Sequence, residues 1–259
     1  KKGKPFSTLL DRVLNVIIIQ NVVLKDRQKS ILEAAILEHI KTARPVSSQE
    51  LLKNTRLNVS TATVRNDMLS LDKQGYLEQP HTSAGRVPTD KGYRFFVDNM
   101  DNEAVLTKNE DKLFARLLNI SDADEFIKEF GRAVSHISGI FTAVGAREDE
   151  IFYETGFSEL LDEPEFRKPD SIKTFGRLVD ALDEELHNFF DVNDGNDLKE
   201  QVFIGQENPW EEARNYSMFL SSWCHPAGFN GFLAMIGPRR TDYKKHKAII
   251  KSVKKLKNV

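Results

Sequence analysis

Apolar positions between Asp26 and Thr42 recur every three or four residues, which predicts a helix with one buried face. The residues of that face are Ile31, Leu32, Ala35, Ile36, His39 and Ile40. The helix has to end before Arg44, because a residue that precedes proline is pushed out of the helical region. Ser47 and Glu50 have the spacing of a capping box, so a second, short helix is expected to follow Ser47.

A third helix is predicted from Ser60 to Gln74, with Gly75 as its stop signal. Its buried face consists of Val64, Met68 and Leu71. Short extended segments at 77–79 and 86–88 flank a turn-rich tip, and a fourth helix capped by Thr89 follows. This order of helices and hairpin is the outline of a winged helix-turn-helix, which we place at residues 24–100, after an extension at 1–23.

The rest of the chain predicts a helical region and then a mixed domain. Residues 101–149 are expected to be a helical region that links the two domains and forms a dimer contact. Its apolar stripes consist of Leu113, Leu117, Ile120, Phe126, Phe130, Val134 and Ile137. Residues 150–259 combine a helix at 171–190, extended runs at 201–205, 216–223 and 229–236, and a closing helix at 243–256. Strands with covering helices indicate an α+β fold class.

The third helix carries side chains that suit the major groove of DNA. Arginine pairs with guanine, asparagine pairs with adenine, and a threonine methyl can meet a thymine methyl. A recognition helix reads base edges through its first turns. The candidate contacts on this helix are Ser60, Thr61, Ala62, Thr63, Arg65, Asn66 and Lys73. The hairpin adds candidates for phosphate and minor-groove contacts, namely His81, Thr82, Ser83 and Arg86.

Composition limits the alternatives. The net charge of −2 gives the whole chain no field that attracts nucleic acid, since a tail with nine basic residues from Arg239 onward offsets an acidic remainder. The single cysteine, Cys224, excludes an internal disulfide framework and a cysteine-based zinc cluster, and it suits a reducing compartment. Asp11, Arg12 and Asn15 interrupt the first apolar run, so we expect no signal peptide, no membrane contact and a cytoplasmic location.

Several stretches resemble one known family. Residues 75–95, from Gly75 to Phe95, resemble the signature of the heat-inducible transcription repressor family HrcA, and Ser60 to Met68 resemble its recognition helix. Residues 156–166, 204–205 and 236–243 are similar to later motifs of that family. Residues 1–22 have no counterpart in the family, the family's stretch before Gly156 is largely missing here, and Arg239 and Thr241 replace the family's usual threonine and methionine.

The resemblance implies a transcriptional repressor of heat-shock chaperone genes that binds double-stranded DNA at an inverted-repeat operator. It also implies a homodimer, a GAF-like core that is shortened in this chain, and maintenance by the GroE chaperonin. It implies neither a cofactor nor a metal. An alternative is a regulator whose GAF-like core senses a small molecule.

Three other features have simpler explanations. Cys224-His225 suggests a nucleophile and a base, but sequence neighbours usually point apart, so a structural pair and a protein that is not an enzyme are expected. The glycine in 191–195 is the fifth residue where a calcium loop needs it sixth, which favours a turn. The apolar stripe of the basic tail favours a packed helix with a solvated lysine face over a second nucleic-acid contact.

Overall fold

The computed structural model describes residues 24–54, 59–82, 84–101, 105–146, 151–192 and 201–255. The extension at 1–22, Ser83 and most of the 191–195 turn lie outside these residues. The chain divides into two compact units. The first contains the residues up to Phe96 together with Pro209–Glu211, and the second contains Val97–Asn208 and Glu212–Val259.

The first unit contains the predicted helices. They are α1 (Asp26–Thr42), α2 (Ser48–Asn54), α3 (Thr61–Lys73) and α4 (Asp90–Asn99), the last of which runs past the boundary of the unit. The capping box before α2 is confirmed, since the Glu50 amide donates to the Ser47 hydroxyl at 3.2 Å and the Ser47 amide donates to the Glu50 carboxylate at 2.8 Å. These hydrogen bonds lower the pKa of Glu50. Val64, Met68 and Leu71 of α3 are buried as predicted.

The hairpin after α3 forms the predicted wing. Strands β1 (Leu77–Glu78) and β2 (Val87–Pro88) pair antiparallel. Val46, between α1 and α2, pairs with the hairpin as a third chain segment. Its amide donates to the Arg86 carbonyl at 2.8 Å, and the Arg86 amide donates to the Val46 carbonyl at 2.9 Å. A Cβ atom on Gly85 would lie 2.4 Å from the Val46 carbonyl oxygen, so this close pairing requires glycine.

The second unit is a sheet with helices on both faces. Its helices are α5 (Lys108–Leu117), α6 (Ala123–Ser138), α7 (Phe157–Leu161), α8 (Pro169–Val192) and α9 (Tyr243–Lys255), with short 3₁₀ turns at 164–167, 205–207 and 211–215. Its strands are β3 (Phe141–Ala146), β4 (Phe152–Thr155), β5 (Gln201–Ile204), β6 (Tyr216–Cys224) and β7 (Asn230–Pro238). They form one antiparallel sheet in the order β4-β3-β7-β6-β5.

Alternate side chains of the strands pack against different helices. On one face, Phe141 and Tyr216 meet Phe175 of α8 at ring distances of 5.1 and 5.2 Å. On the other face, Trp223 packs on Phe126 of α6 and Phe219 packs on α9. The packed closing helix is thereby confirmed, with Ile249 and Val253 fully buried.

Two expectations for the middle of the chain are wrong. Residues 141–146 form a fully buried strand where a helix was predicted, and α6 packs on β3 and β4, so the region before residue 150 belongs to the core sheet. The stripe on α6 does not remain available for a dimer contact either. Phe126, Phe130 and Val134 are each 0% exposed, because they pack within their own chain.

The neighbours Cys224 and His225 differ in burial, since Cys224 is half-buried and His225 is buried. His225 is buried, and its ring stacks on Phe229 at 4.2 Å with 6° between the planes. Its Nδ1 accepts a hydrogen bond from the Ala227 amide at 3.1 Å. Burial is the main cause of the lowered pKa of His225. The histidine is therefore part of an aromatic cluster, which agrees with the structural role expected from the sequence.

Candidate nucleic-acid interface

The N-terminus of α3 is fixed by its own side chains. Ser60 has extended backbone, and its hydroxyl oxygen accepts a hydrogen bond from the Thr63 amide at 3.1 Å. The Ser60 and Thr63 hydroxyls also share a hydrogen bond at 2.9 Å. Of the residues expected to touch DNA at this end, Ser60 and Thr63 therefore hold the helix in place, while Thr61 is half-buried and Ala62 is exposed.

Five exposed residues share one side of α3, which we call its outer face. They are Ala62, Arg65, Asn66, Leu69 and Lys73. The spacing of three and four residues aligns them along the helix, opposite the buried Val64, Met68 and Leu71. Within the part of the chain that the structure describes, the side chains of Arg65, Asn66 and Lys73 form no hydrogen bond or ion pair. Their polar groups are available to an external partner.

Both acidic residues of α3 are paired with arginines of neighbouring elements. Asp67 is buried and accepts a hydrogen bond from Arg27 Nε of α1 at 2.6 Å, and this contact raises the pKa of Arg27. Asp72 accepts a hydrogen bond from Arg86 Nε of the wing at 2.9 Å. The outer face of α3 thus presents two cations, Arg65 and Lys73, to the solvent.

The tip of the wing is held in a turn by its own backbone and by Gln79. The Ala84 amide donates to the His81 carbonyl at 2.9 Å, and Gln79 Nε2 donates to the carbonyls of Thr82 and Ala84 at 3.0 Å each. His81 and Thr82 are exposed, as a contact with DNA requires. Ser83 lies outside the described residues.

Arg86 differs from the other predicted contacts. Its sequence position predicts a contact with the DNA backbone, but its side chain is 14% exposed and paired with Asp72. The guanidinium therefore joins the base of the wing to the last turn of α3. The structure supports a positioning role for Arg86 more directly than a phosphate contact.

The signature stretch around the wing locks α4 to the end of α3. Gly75 has a left-handed φ of 75°, and the next amide, of Tyr76, bonds the Leu71 carbonyl at 2.9 Å. The Thr89 hydroxyl donates to the Gly75 carbonyl at 2.6 Å, and Lys91 Nζ donates to the Gln74 carbonyl at 2.9 Å. Most of this motif is a frame for α3.

Three residues of this candidate interface give no clear signal in the sequence. Leu69 cannot be recognised as exposed from the sequence, because an apolar residue on an amphipathic helix normally belongs to the core. Gln79 gave no signal, since its bonds to the wing carbonyls depend on the shape of the turn. Asp67 could be recognised as a buried partner of Arg27 only once α1 and α3 were in contact, because the two residues are 40 positions apart.

The geometry agrees with comparisons to known proteins. The family described as "HrcA protein C terminal domain" matches residues 94–246, and the "DeoR-like helix-turn-helix domain" matches residues 33–89. The first match alone spans more than half of the chain.

The chain belongs to the HrcA family.

Curated relatives resemble most of this HrcA-family chain. The "Heat-inducible transcription repressor HrcA" of Thermoanaerobacter pseudethanolicus is 27% identical over 324 aligned positions, which cover 86% of this chain and 92% of the relative. Since 86% of the 259 residues is about 223, about 100 of those positions have no counterpart in this chain. The protein of the same name from Thermobifida fusca is 44% identical over 117 residues, which are 45% of this chain and 34% of the relative.

A solved structure shares the fold of this HrcA-family chain. A crystal structure titled as that of a hypothetical protein superposes with a TM-score of 0.76 at 18% identity, over 91% of this chain and 98% of the other. The two chains therefore share a fold over nearly their whole lengths.

The later motifs of the HrcA family meet in the second unit. Arg240, which is 10% exposed, pairs with Glu163 and also with Glu165, at 2.6 Å from its Nε. Gly156 has a left-handed φ of 84°, and a Cβ there would lie 2.2 Å from the Ser135 hydroxyl oxygen. Thr241, a departure from the family's usual residue, is buried and bonds His246 Nδ1 at 3.1 Å.

Proposed function

We propose that this HrcA-family chain is a sequence-specific transcriptional repressor that inserts α3 into the major groove of double-stranded DNA. The observation that carries the proposal is the outer face of α3, where Arg65, Asn66 and Lys73 are exposed while both acidic residues of the helix are paired behind or beside them. Arginine and asparagine can each read a base edge with two hydrogen bonds. The neighbouring wing tip, with His81 and Thr82, meets the DNA backbone.

The operator is an inverted repeat and the repressor binds it as a homodimer. One recognition helix per chain reads one half-site, so two chains related by a two-fold axis read half-sites about one helical turn, or a multiple of it, apart. The α6 stripe is buried within its own chain, and it does not supply this dimer contact. Binding of the dimer across a promoter blocks transcription by occlusion.

Selection of duplexes from a random library by the full-length chain tests the proposal. We expect enriched sequences with two-fold symmetry, and footprinting on them that protects both half-sites. An asymmetric selected site, or a chain that enriches no sequence, would contradict the proposal. In vitro transcription from a promoter that overlaps the selected site should fall as the chain is added.

Three further aspects rest on the family resemblance. Relatives carry the name of heat-inducible transcription repressors. The family resemblance implies chaperone genes as the targets and the cytoplasm as the location. Among the described residues, no helix is long and apolar enough to span a membrane.

Maintenance by GroE predicts that added chaperonin raises the fraction of the protein that binds DNA after refolding. A small-molecule sensor in the core stays a prediction, which a ligand-induced melting shift would test.

A further inference from the structure

We propose that Leu69 reads the 5-methyl group of a thymine in the major groove; this rests on the proposed insertion of α3 into DNA. Leu69 belongs to the outer face and is 43% exposed. It follows Ala62 by seven residues, nearly two turns of about 3.6 residues, and therefore lies almost directly in line with it. Asn66 and Lys73 precede and follow it at one-turn spacing.

Exposure alone does not carry this assignment. Single exposed leucines are common on protein surfaces, and Leu37 on α1 is exposed to nearly the same extent, at 42%. The distinguishing feature of Leu69 is its place. It is the one large apolar side chain in the middle of a face whose other long side chains, Arg65, Asn66 and Lys73, suit base and phosphate contacts.

The chemistry of the groove selects the ligand. In the major groove thymine presents a carbonyl oxygen and a methyl group, and the methyl group is the apolar mark that distinguishes it from the other three bases. A leucine side chain that enters the groove loses water without gaining a hydrogen bond, so its favourable partner is that methyl group. Adenine, guanine and cytosine edges would leave polar atoms unpaired against it.

The spacing along α3 predicts where the thymine lies. Leu69 is three residues beyond Asn66, a rise of about 4.5 Å, which is little more than the separation of adjacent base pairs. The thymine read by Leu69 should therefore lie within two base pairs of the position that Asn66 reads. Because the operator is symmetric, the same thymine should recur in both half-sites.

Uracil substitution tests the assignment, since uracil lacks the 5-methyl group and keeps the base pair. The probe is the duplex that the full-length chain selects from a random library, remade with uracil at each thymine in turn. The natural chain should bind one symmetric pair of substituted positions about fourfold more weakly per site, the fold-change expected for one buried methyl group. Those positions should lie within two base pairs of the ones whose base preference Asn66→Ala relaxes.

Variants at position 69 complete the test. Leu69→Ala should bind the thymine duplex more weakly and lose its sensitivity to uracil, whereas Leu69→Met should keep part of that sensitivity. Leu37→Ala is the matched control and should behave like the natural chain. If Leu69→Ala were as sensitive to uracil as the natural chain, the assignment would be overturned. A change in the sedimentation of Leu69→Ala without a change in its DNA binding would also overturn it. A natural chain that selects no sequence would instead refute the proposed function.

Discussion

The Asp72 carboxylate in the last turn of α3 accepts a hydrogen bond from Arg86 Nε at the base of the wing, at 2.9 Å. Because the side chains of Asp72 and Arg86 are only 30% and 14% exposed, the pair fixes the wing beside α3. We expect Arg86→Ala and Asp72→Asn each to lower the free energy of unfolding by about 1 kcal/mol and to weaken specific DNA binding. Isothermal denaturation and binding titrations would measure both effects.

Salt dependence separates this positioning role from a phosphate contact. Loss of one phosphate contact reduces the slope of log affinity against log salt by about one. We expect the slope to be the same in Arg86→Ala, in Asp72→Asn and in the natural chain. A slope reduced by one in Arg86→Ala alone would show that the arginine leaves Asp72 and meets the DNA backbone.

Base reading by the outer face of α3 predicts selective losses. Arg65→Ala and Asn66→Ala should each cost about 1–3 kcal/mol of specific binding and relax the preference at one operator position. Non-specific affinity should change little. Lys41→Ala, which removes an exposed charge from α1, is the control for a general loss of attraction. If both variants kept their sequence specificity and their circular dichroism spectra were unchanged, the placement of α3 in the major groove would be contradicted.

Gly85 and Gly176 predict opposite responses to alanine. A Cβ at Gly85 would lie 2.4 Å from the Val46 carbonyl oxygen, so Gly85→Ala should break the wing pairing and destabilise the first unit by about 1–3 kcal/mol. A Cβ at Gly176 in α8 would meet no atom within 4 Å outside its own helix backbone, so Gly176→Ala should stabilise the second unit by about 0.5–1 kcal/mol. Thermal unfolding of the two variants would show these shifts in opposite directions.

His246 predicts a loss of stability in acid. Its ring is fully buried between the Thr241 hydroxyl and the Ser138 carbonyl, and burial lowers its pKa to about 4. Since the unfolded chain binds the proton near pH 6.5, stability should decline as the pH falls from about 6.5 to about 4, by up to about 3 kcal/mol. Denaturation of His246→Gln should show a flatter pH dependence over this range. An unchanged slope would assign acid sensitivity to other groups.

Because of Glu154 we expect the protein to lose stability as the pH rises, whereas His246 reduces stability as the pH falls. Burial, followed by the charges of Asp183 and Asp180, raises its pKa to about 7 from an ordinary value of 4.5. Its favourable contribution is complete below pH 4.5 and declines as the pH rises through 7. Glu154→Gln should therefore melt at a higher temperature than the natural chain at pH 8 and at a similar temperature at pH 4. Exposed Glu159→Gln should show no such difference.

Local signals allowed most of the first unit to be predicted. Capping residues, helix periodicity and Gly75 mark α1 to α4 because each depends on neighbours in sequence. Strand β3 was missed because all six of its residues are buried, so it lacks the alternation that distinguishes a strand from a helix. Gly139, whose φ of 71° ends α6, was the overlooked signal. At the interface, the Arg27–Asp67 and Arg86–Asp72 pairs depend on folding and could not be inferred from spacing.

The frame formed by Gly75, Thr89 and Lys91 bears on how repressors of this family diverge. These residues bond the backbone at the end of α3 and leave its outer face untouched. Two chains that share residues 75–95 can therefore differ on the outer face of α3, because the frame and the outer face consist of different residues. Exchange of the five outer-face residues between two such chains should transfer operator preference while the rest of each protein is left as it is.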